Sequence, residues 1–256
     1  LRFGRETRSI VLAHSGGLRT IMAQPHDKSL SRASSVAVDT FLDALKGKSV
    51  VAASASRGRM IFALDATMSR QPTWDMAQRL QTRMFEVAGK LGGLDAQLVY
   101  FRGLNECRAS RFVADGAGLG ALMGKISCQG GHTQIARVLE HVRTEAGVKP
   151  VGALIYVGDA MEEHVDELCA LAGQVALLGV KAFMFQEGAE PVARQAFGEI
   201  ARITGGAFAT FDANAPQRLA DLLGAAAAYA AGGRSALEKQ AREGGAAACL
   251  LLGQMR

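Results

Sequence analysis

Apolar positions between residues 58 and 231 recur in two alternating rhythms. Short runs such as MIFAL (60–64), ALIYV (153–157) and AFMF (182–185) contain no polar residue, as expected of strands covered on both faces. Between them lie longer segments whose apolar residues return every three or four positions, which is helical spacing. Read in order, the pattern predicts strands over 59–65, 96–103, 151–159, 180–188 and 207–212. A shorter run at 106–113 is expected to return beside the second of these as an antiparallel partner. Helices are predicted over 72–93, 119–126, 133–147, 162–179, 191–206 and 215–233, several ending at Gly or Gly-Gly. Alternating strands and helices give an α/β fold: an open, mostly parallel sheet with helices on both faces.

The rhythm is different at the two ends. Residues 8–24 hold two short apolar runs around Ser-Gly-Gly and suggest a hairpin. A helical spacing follows at Val36, Val38, Phe41, Leu42 and Leu45, and then a small, polar linker-like stretch. Residues 1–57 therefore read as an N-terminal extension, 58–231 as the main domain, and 232–256 as a C-terminal helical extension broken at Gly244-Gly245.

Charge sharpens this division. Residues 1–58 carry nine Lys/Arg against four Asp/Glu, whereas the remaining residues carry twenty of each. The net charge of +5 thus belongs to the N-terminal fifth of the chain. With only Phe3 and Phe41 as aromatic residues and no dense Lys/Arg block, this reads as a solvated basic arm rather than a nucleic-acid site. Cys107, Cys128, Cys169 and Cys249 are widely spread without a CxxC pair, which argues against a disulfide framework or a zinc site. No apolar run reaches the roughly 20 residues of a membrane span. A soluble, cytoplasmic protein is expected.

Chemistry concentrates where the strands end. After Asp65 the first strand gives way to Thr67 and Ser69, two hydroxyls in alternation. Asp159 ends a later strand, and Thr133 opens a helix behind Gly130-Gly131. Ligands of an open parallel sheet bind beyond the carboxyl ends of its strands, so these residues should share one rim. Two carboxylates and three hydroxyls, without His or Cys, suit a hard divalent cation, Mg²⁺ first, with Mn²⁺ or Ca²⁺ as alternatives. Taken singly, each residue has a plainer reading, as a helix cap or a polar strand end.

In combination, D-x-T-x-S at 65–69, G-G-x-T at 130–133 and the strand-ending Asp159 resemble the metal-ion-dependent adhesion site of von Willebrand factor type A (VWA) domains. The likeness extends over residues 58–231. It implies the Rossmann-like VWA fold of a bacterial-type cytoplasmic module. By that resemblance Thr67, Ser69 and Thr133 would offer hydroxyl oxygens, and Asp65 and Asp159 would act largely through bound water. The open position on the metal would take an Asp or Glu carboxylate from a protein partner. The setting would be a multiprotein assembly, sometimes with an AAA-type ATPase. Thr67 stands where serine is usual, and His132 and Gln134 flank Thr133 where Gly/Pro and Asn/Asp are common.

Other chemistries fit less well. Gly116, Gly118 and Ala121 form a G-x-G-x-x-A that resembles a dinucleotide fingerprint, but no strand with an acidic end follows at the required distance. Asp65 as the nucleophile of a Mg²⁺-dependent phosphotransfer enzyme would need a carboxylate two residues on, where Thr67 stands and cannot titrate. The five histidines lack zinc-ligand spacing; His132 is expected at the rim and Cys128 in the core. A binding module, rather than an enzyme with a small-molecule substrate, is the function expected. A VWA domain with a vacant site and a structural role stays open beside it.

Overall fold

The computed structural model describes residues 57–68, 71–212 and 214–255. The hairpin and helix expected within 1–56 lie outside the described residues, as does Ser69. Among the described residues six strands form one sheet: β1 (Gly58–Asp65), β2 (Leu94–Arg102), β3 (Glu106–Val113), β4 (Ala153–Gly158), β5 (Lys181–Glu187) and β6 (Ala207–Phe211). Their order is β3-β2-β1-β4-β5-β6, with every pairing parallel except β2–β3. The chain moves outward from β1 to β2 and then crosses to β4 on the other side. The carboxyl ends of β1 and β4 therefore flank the point where the winding reverses, the place where such sheets hold ligands.

Eight helices are described: α1 (Gln71–Leu80), α2 (Thr82–Gly89), α3 (Gly116–Met123), α4 (Ile135–Val148), α5 (Val165–Leu177), α6 (Pro191–Thr204), α7 (Pro216–Arg242) and α8 (Ala246–Leu252). The period-2 geometry of the strands sorts the apolar runs onto two faces. Met60, Phe62, Leu64, Ile155, Val157, Phe183 and Phe185 pack toward α1, α2, α3, α7 and α8. Ile61, Ala63, Leu154, Tyr156 and Met184 pack toward α4, α5 and α6. Two cores on either side of one sheet explain why the strands carry no polar alternation.

The segment expected as one helix over 72–93 is two, α1 and α2, separated only by Gln81. Its backbone keeps helical angles (φ −58°, ψ −28°), while its buried side-chain amide donates to the Gly116 carbonyl at 2.8 Å. The last helix runs through the expected stop: α7 kinks at Gly233, whose φ of +65° only glycine adopts without strain. Beyond the kink Leu237, Ala247, Ala248 and Leu251 are buried in the core shared with β1 and α7. Arg57, at the start of the described chain, hydrogen-bonds Asp95 and the carbonyls of Leu94 and Ala114, each at 2.7 Å.

The two outer strands are treated differently. At β6 the Gln254 side chain accepts from Phe208 N–H at 3.0 Å and donates to Phe208 O at 2.8 Å, standing in for a neighbouring strand. At β3 the register with β2 shifts between Gln97 and Val99, and Ser110 Oγ takes up the Leu98 N–H at 3.0 Å. This irregularity lies among Glu106, Arg108 and Arg111, and bulges and charges are common guards of an exposed edge.

Candidate metal centre

Asp65 ends β1, and its buried carboxylate (3 % exposed) turns back on its own chain. Asp65 Oδ1 accepts from Thr67 N–H at 2.7 Å, closing an Asx turn that lifts the backbone out of the sheet. Ala66 holds this exit in place: its N–H donates to Phe101 O at 2.9 Å and its carbonyl accepts from Gln129 N–H at 3.0 Å. That second bond draws the 124–134 loop alongside the end of β1.

The same loop is clamped from the other side. His132 N–H donates to Gly103 O at 3.2 Å. Gly131 passes so close to the β2–β3 turn that a Cβ there would lie 2.1 Å from Gly103 O. Glycine is required at 131 by this close approach rather than by an unusual φ. The loop then delivers Thr133 to the carboxyl side of the sheet.

Asp65, Thr67, Thr133 and Asp159 line one cleft of about 270 Å³, together with Met68, Gly130, Gly131 and Glu162. Four of the five residues singled out in the sequence are thus brought together at the carboxyl ends of β1 and β4; the fifth, Ser69, lies outside the described residues. Thr133 does not cap the helix it precedes. That position belongs to Gln134, whose side chain makes no capping bond.

Two carboxylates that the sequence reading did not single out organise this rim. Thr133 Oγ1 accepts from Glu162 N–H at 3.0 Å, and Glu162 Oε2 accepts from Thr133 N–H at 3.3 Å. The same Oε2 lies 2.8 Å from His132 Nδ1, so His132 does sit at the rim, beside Glu162. Glu163 spans the first two N–H groups of α4, Ile135 at 2.6 Å and Ala136 at 2.8 Å. The loop after β4 therefore caps the helix after Thr133, and the rim behaves as one stapled unit. The adjacent pair Glu162-Glu163, three residues past Asp159, was the only trace of this in the sequence.

The donor set has the chemistry of a hard-cation site. It offers two carboxylates and two described hydroxyls, a mixture that holds Mg²⁺ or a similar ion without nitrogen or sulfur ligands. Among the described residues no three His, Cys, Asp or Glu side chains cluster as a metal site, so any ion held here would depend on hydroxyl oxygens beside the two carboxylates.

The glycine-rich stretch at 116–121 takes a different role from the one its pattern suggests. It follows the antiparallel edge strand and forms the first turns of α3. The Asp115 carboxylate occupies the helix N-terminus, accepting from Gly118 N–H at 2.7 Å. An anion at that position excludes a pyrophosphate from it. Cys128 is buried in the core, as expected.

The winding order, with its single antiparallel edge strand among the described residues, defines a doubly wound α/β domain with a hydroxyl-bearing cleft at the reversal point. The fold is that of von Willebrand factor type A domains. A von Willebrand factor type A structure from Catenulispora acidiphila aligns with 68% of this chain and 43% of its own at a TM-score of 0.54 and 16% identity. Proximal thread matrix protein 1 from the mussel byssus, with a zinc-occupied MIDAS motif, aligns at 0.55 and 16% identity over 68% of this chain and 46% of that one. The pilus adhesin SpaC of Lactobacillus rhamnosus GG aligns at 0.52 and 10% identity over 64% and 29%. The chain spans less than half the length of each of these proteins. No family model and no curated protein matches the sequence. Among the described residues no helix is long and apolar enough to cross a membrane.

Proposed function

We propose that the chain is a metal-dependent protein-binding module, in which Asp65, Thr67, Ser69, Thr133 and Asp159 hold a divalent cation, Mg²⁺ first, for a partner's Asp or Glu carboxylate. The observation that carries this reading is the convergence of Asp65, Thr67, Thr133 and Asp159, from three separate segments, on one cleft. The bound ion would supply a positive, electrophilic position for an anionic oxygen. The chain's own contribution is to fix the oxygens. The Asx turn holds Asp65, the bond from Glu162 N–H orients the Thr133 hydroxyl, and the Gly131 approach sets the loop height.

A protein partner fits the cleft better than a small substrate. Met68 stands 64 % exposed at its lip, an apolar contact beside a polar centre. One structural neighbour is a pilus adhesin and another a thread matrix protein, which supports binding rather than catalysis as the role. A cytoplasmic multiprotein assembly, with an AAA-type ATPase as one class of partner, is the setting we propose.

Calorimetric titration of Mg²⁺ into the wild type and Asp65→Asn tests the reading. Saturable binding in the wild type, weakened at least about tenfold by removal of one carboxylate charge, is expected. Equal affinity in both would reject the assignment. A pull-down with and without chelator then tests whether partner capture depends on the metal.

A further inference from the structure

A second cleft, of about 320 Å³, opens between edge strand β3 and helix α4 and shares no lining residue with the metal cleft. Its walls carry three arginines, Arg108 from β3 and Arg137 and Arg143 from α4, with His141, Glu140 and Cys107 between them. The guanidinium groups are only partly used. Arg108 donates through Nε to Glu106 at 3.0 Å. Arg137 works through Nη1 alone, to Asn105 O at 2.6 Å and Gln134 Oε1 at 2.7 Å. Arg143 also uses Nη1, toward Gln174 Oε1 at 2.5 Å.

The neighbouring carboxylates are already engaged, Glu106 with Arg108 itself. Glu106 is also held by Arg102 at 2.9 Å and by the Tyr100 hydroxyl at 3.1 Å. Glu145 pairs with Arg59 at 2.6 Å, and Glu163 caps α4. Glu140 is the one carboxylate among the residues that line the cleft, against three arginines. The other titratable groups do not supply negative charge. Burial pushes the Cys107 thiol up, with Arg137 opposing and Glu163 adding to the rise, so it stays protonated near neutral pH. His141 donates from Nε2 to Gln97 Oε1 at 2.9 Å, since the Gln97 amide nitrogen is committed to Ser110 O.

We propose that this cleft binds a phosphate monoester, gripped by the unused N–H groups of Arg108, Arg137 and Arg143. Forked guanidinium donors match phosphate oxygens in geometry and charge. The cleft is at the small end of ligand sites, enough for a phosphoryl group and the side chain or small molecule bearing it. The site stands independently of the metal reading.

The test uses the full chain in metal-free buffer, titrated calorimetrically with inorganic phosphate, a phosphoserine heptapeptide and its unphosphorylated counterpart. Saturable binding of the phosphorylated probes alone is expected, and a tighter phosphopeptide marks a protein-borne source. The Arg137→Gln/Arg143→Gln double variant should bind about a hundredfold more weakly, on the order of tenfold for each charged hydrogen-bonding group. Arg108→Gln, on the exposed strand, should bind about tenfold more weakly without a folding change. Phosphate should also slow iodoacetamide alkylation of Cys107, read residue by residue by mass spectrometry. Wild-type affinity in both variants, an unchanged Cys107 rate, or no saturation by about 10 mM phosphate would overturn the proposal.

Discussion

Thr133 and Glu162, 29 residues apart, exchange two hydrogen bonds: the threonine hydroxyl accepts from the glutamate N–H at 3.0 Å, and the glutamate carboxylate accepts from the threonine N–H at 3.3 Å. One of the hydroxyls assigned to the cation is therefore oriented by the loop that carries Asp159. Thr133→Val keeps the shape and removes the acceptor, leaving the Glu162 N–H unsatisfied. It is expected to destabilise the domain by about 1–2 kcal/mol in urea unfolding and to weaken Mg²⁺ binding. Thr133→Ser should retain both. Matching losses in the two variants would contradict this account.

Glu163 replaces a local cap with a distant one. Gln134 makes no capping bond, so Glu163 alone answers the first N–H groups of α4. Glu163→Ala should cost about 1 kcal/mol, the ordinary value of a helix cap. Hydrogen exchange should speed up first at Ile135 and Ala136. Unchanged protection at those two amides would show that the cap carries little weight.

Two adjacent glycines provide a paired experiment. A Cβ at Gly131 would meet the Gly103 backbone at 2.1 Å, whereas one at Gly130 meets nothing within 4 Å. Gly131→Ala is expected to lose about 1–3 kcal/mol by overpacking and to shift Thr133 out of the cleft, lowering Mg²⁺ affinity. Gly130→Ala should be close to neutral on both measures. Denaturation and titration of the pair, side by side, check the close approach directly.

His141 gives the fold a pH dependence of known sign. Burial holds the ring below the usual histidine range, with Glu145 acting in the opposite direction. The unfolded chain therefore takes up the proton more readily. The stability contributed by the neutral ring is complete above the unfolded value of about 6.5. It is lost as the pH falls below that value toward the depressed folded one. Between about pH 7.5 and pH 5.5, spanning that value, the wild-type urea midpoint should fall further than that of His141→Gln. Parallel pH profiles would remove His141 as the cause.

The sequence announced the sheet clearly because its strands are sheathed on both sides: MIFAL and ALIYV could hardly be anything else. Asp65 and Asp159 were legible for the same reason, since a strand end is where an apolar run stops; Thr67 followed from the alternation after Asp65, and Thr133 from the two glycines before a helix. Glu162 and Glu163 were not. Their work is tertiary, serving N–H groups on a loop and helix 27 to 29 residues earlier, and no local pattern encodes such a contact. The break at Gln81 was hidden because its backbone angles are those of the helices it separates. The stop at Gly232-Gly233 was visible as a pair of glycines. That the chain beyond it folds back onto the same core depends on where Leu237 and Leu251 find apolar surface.

The side chain of Gln254, bonded to both polar backbone groups of Phe208, has a consequence for assembly. One margin of the sheet already has its would-be neighbour, and the opposite margin is interrupted at Ser110 between charged residues. Copies of this domain gain little by joining strand to strand. For the described residues, higher-order contacts are expected through loops and helices rather than through the margins of the sheet.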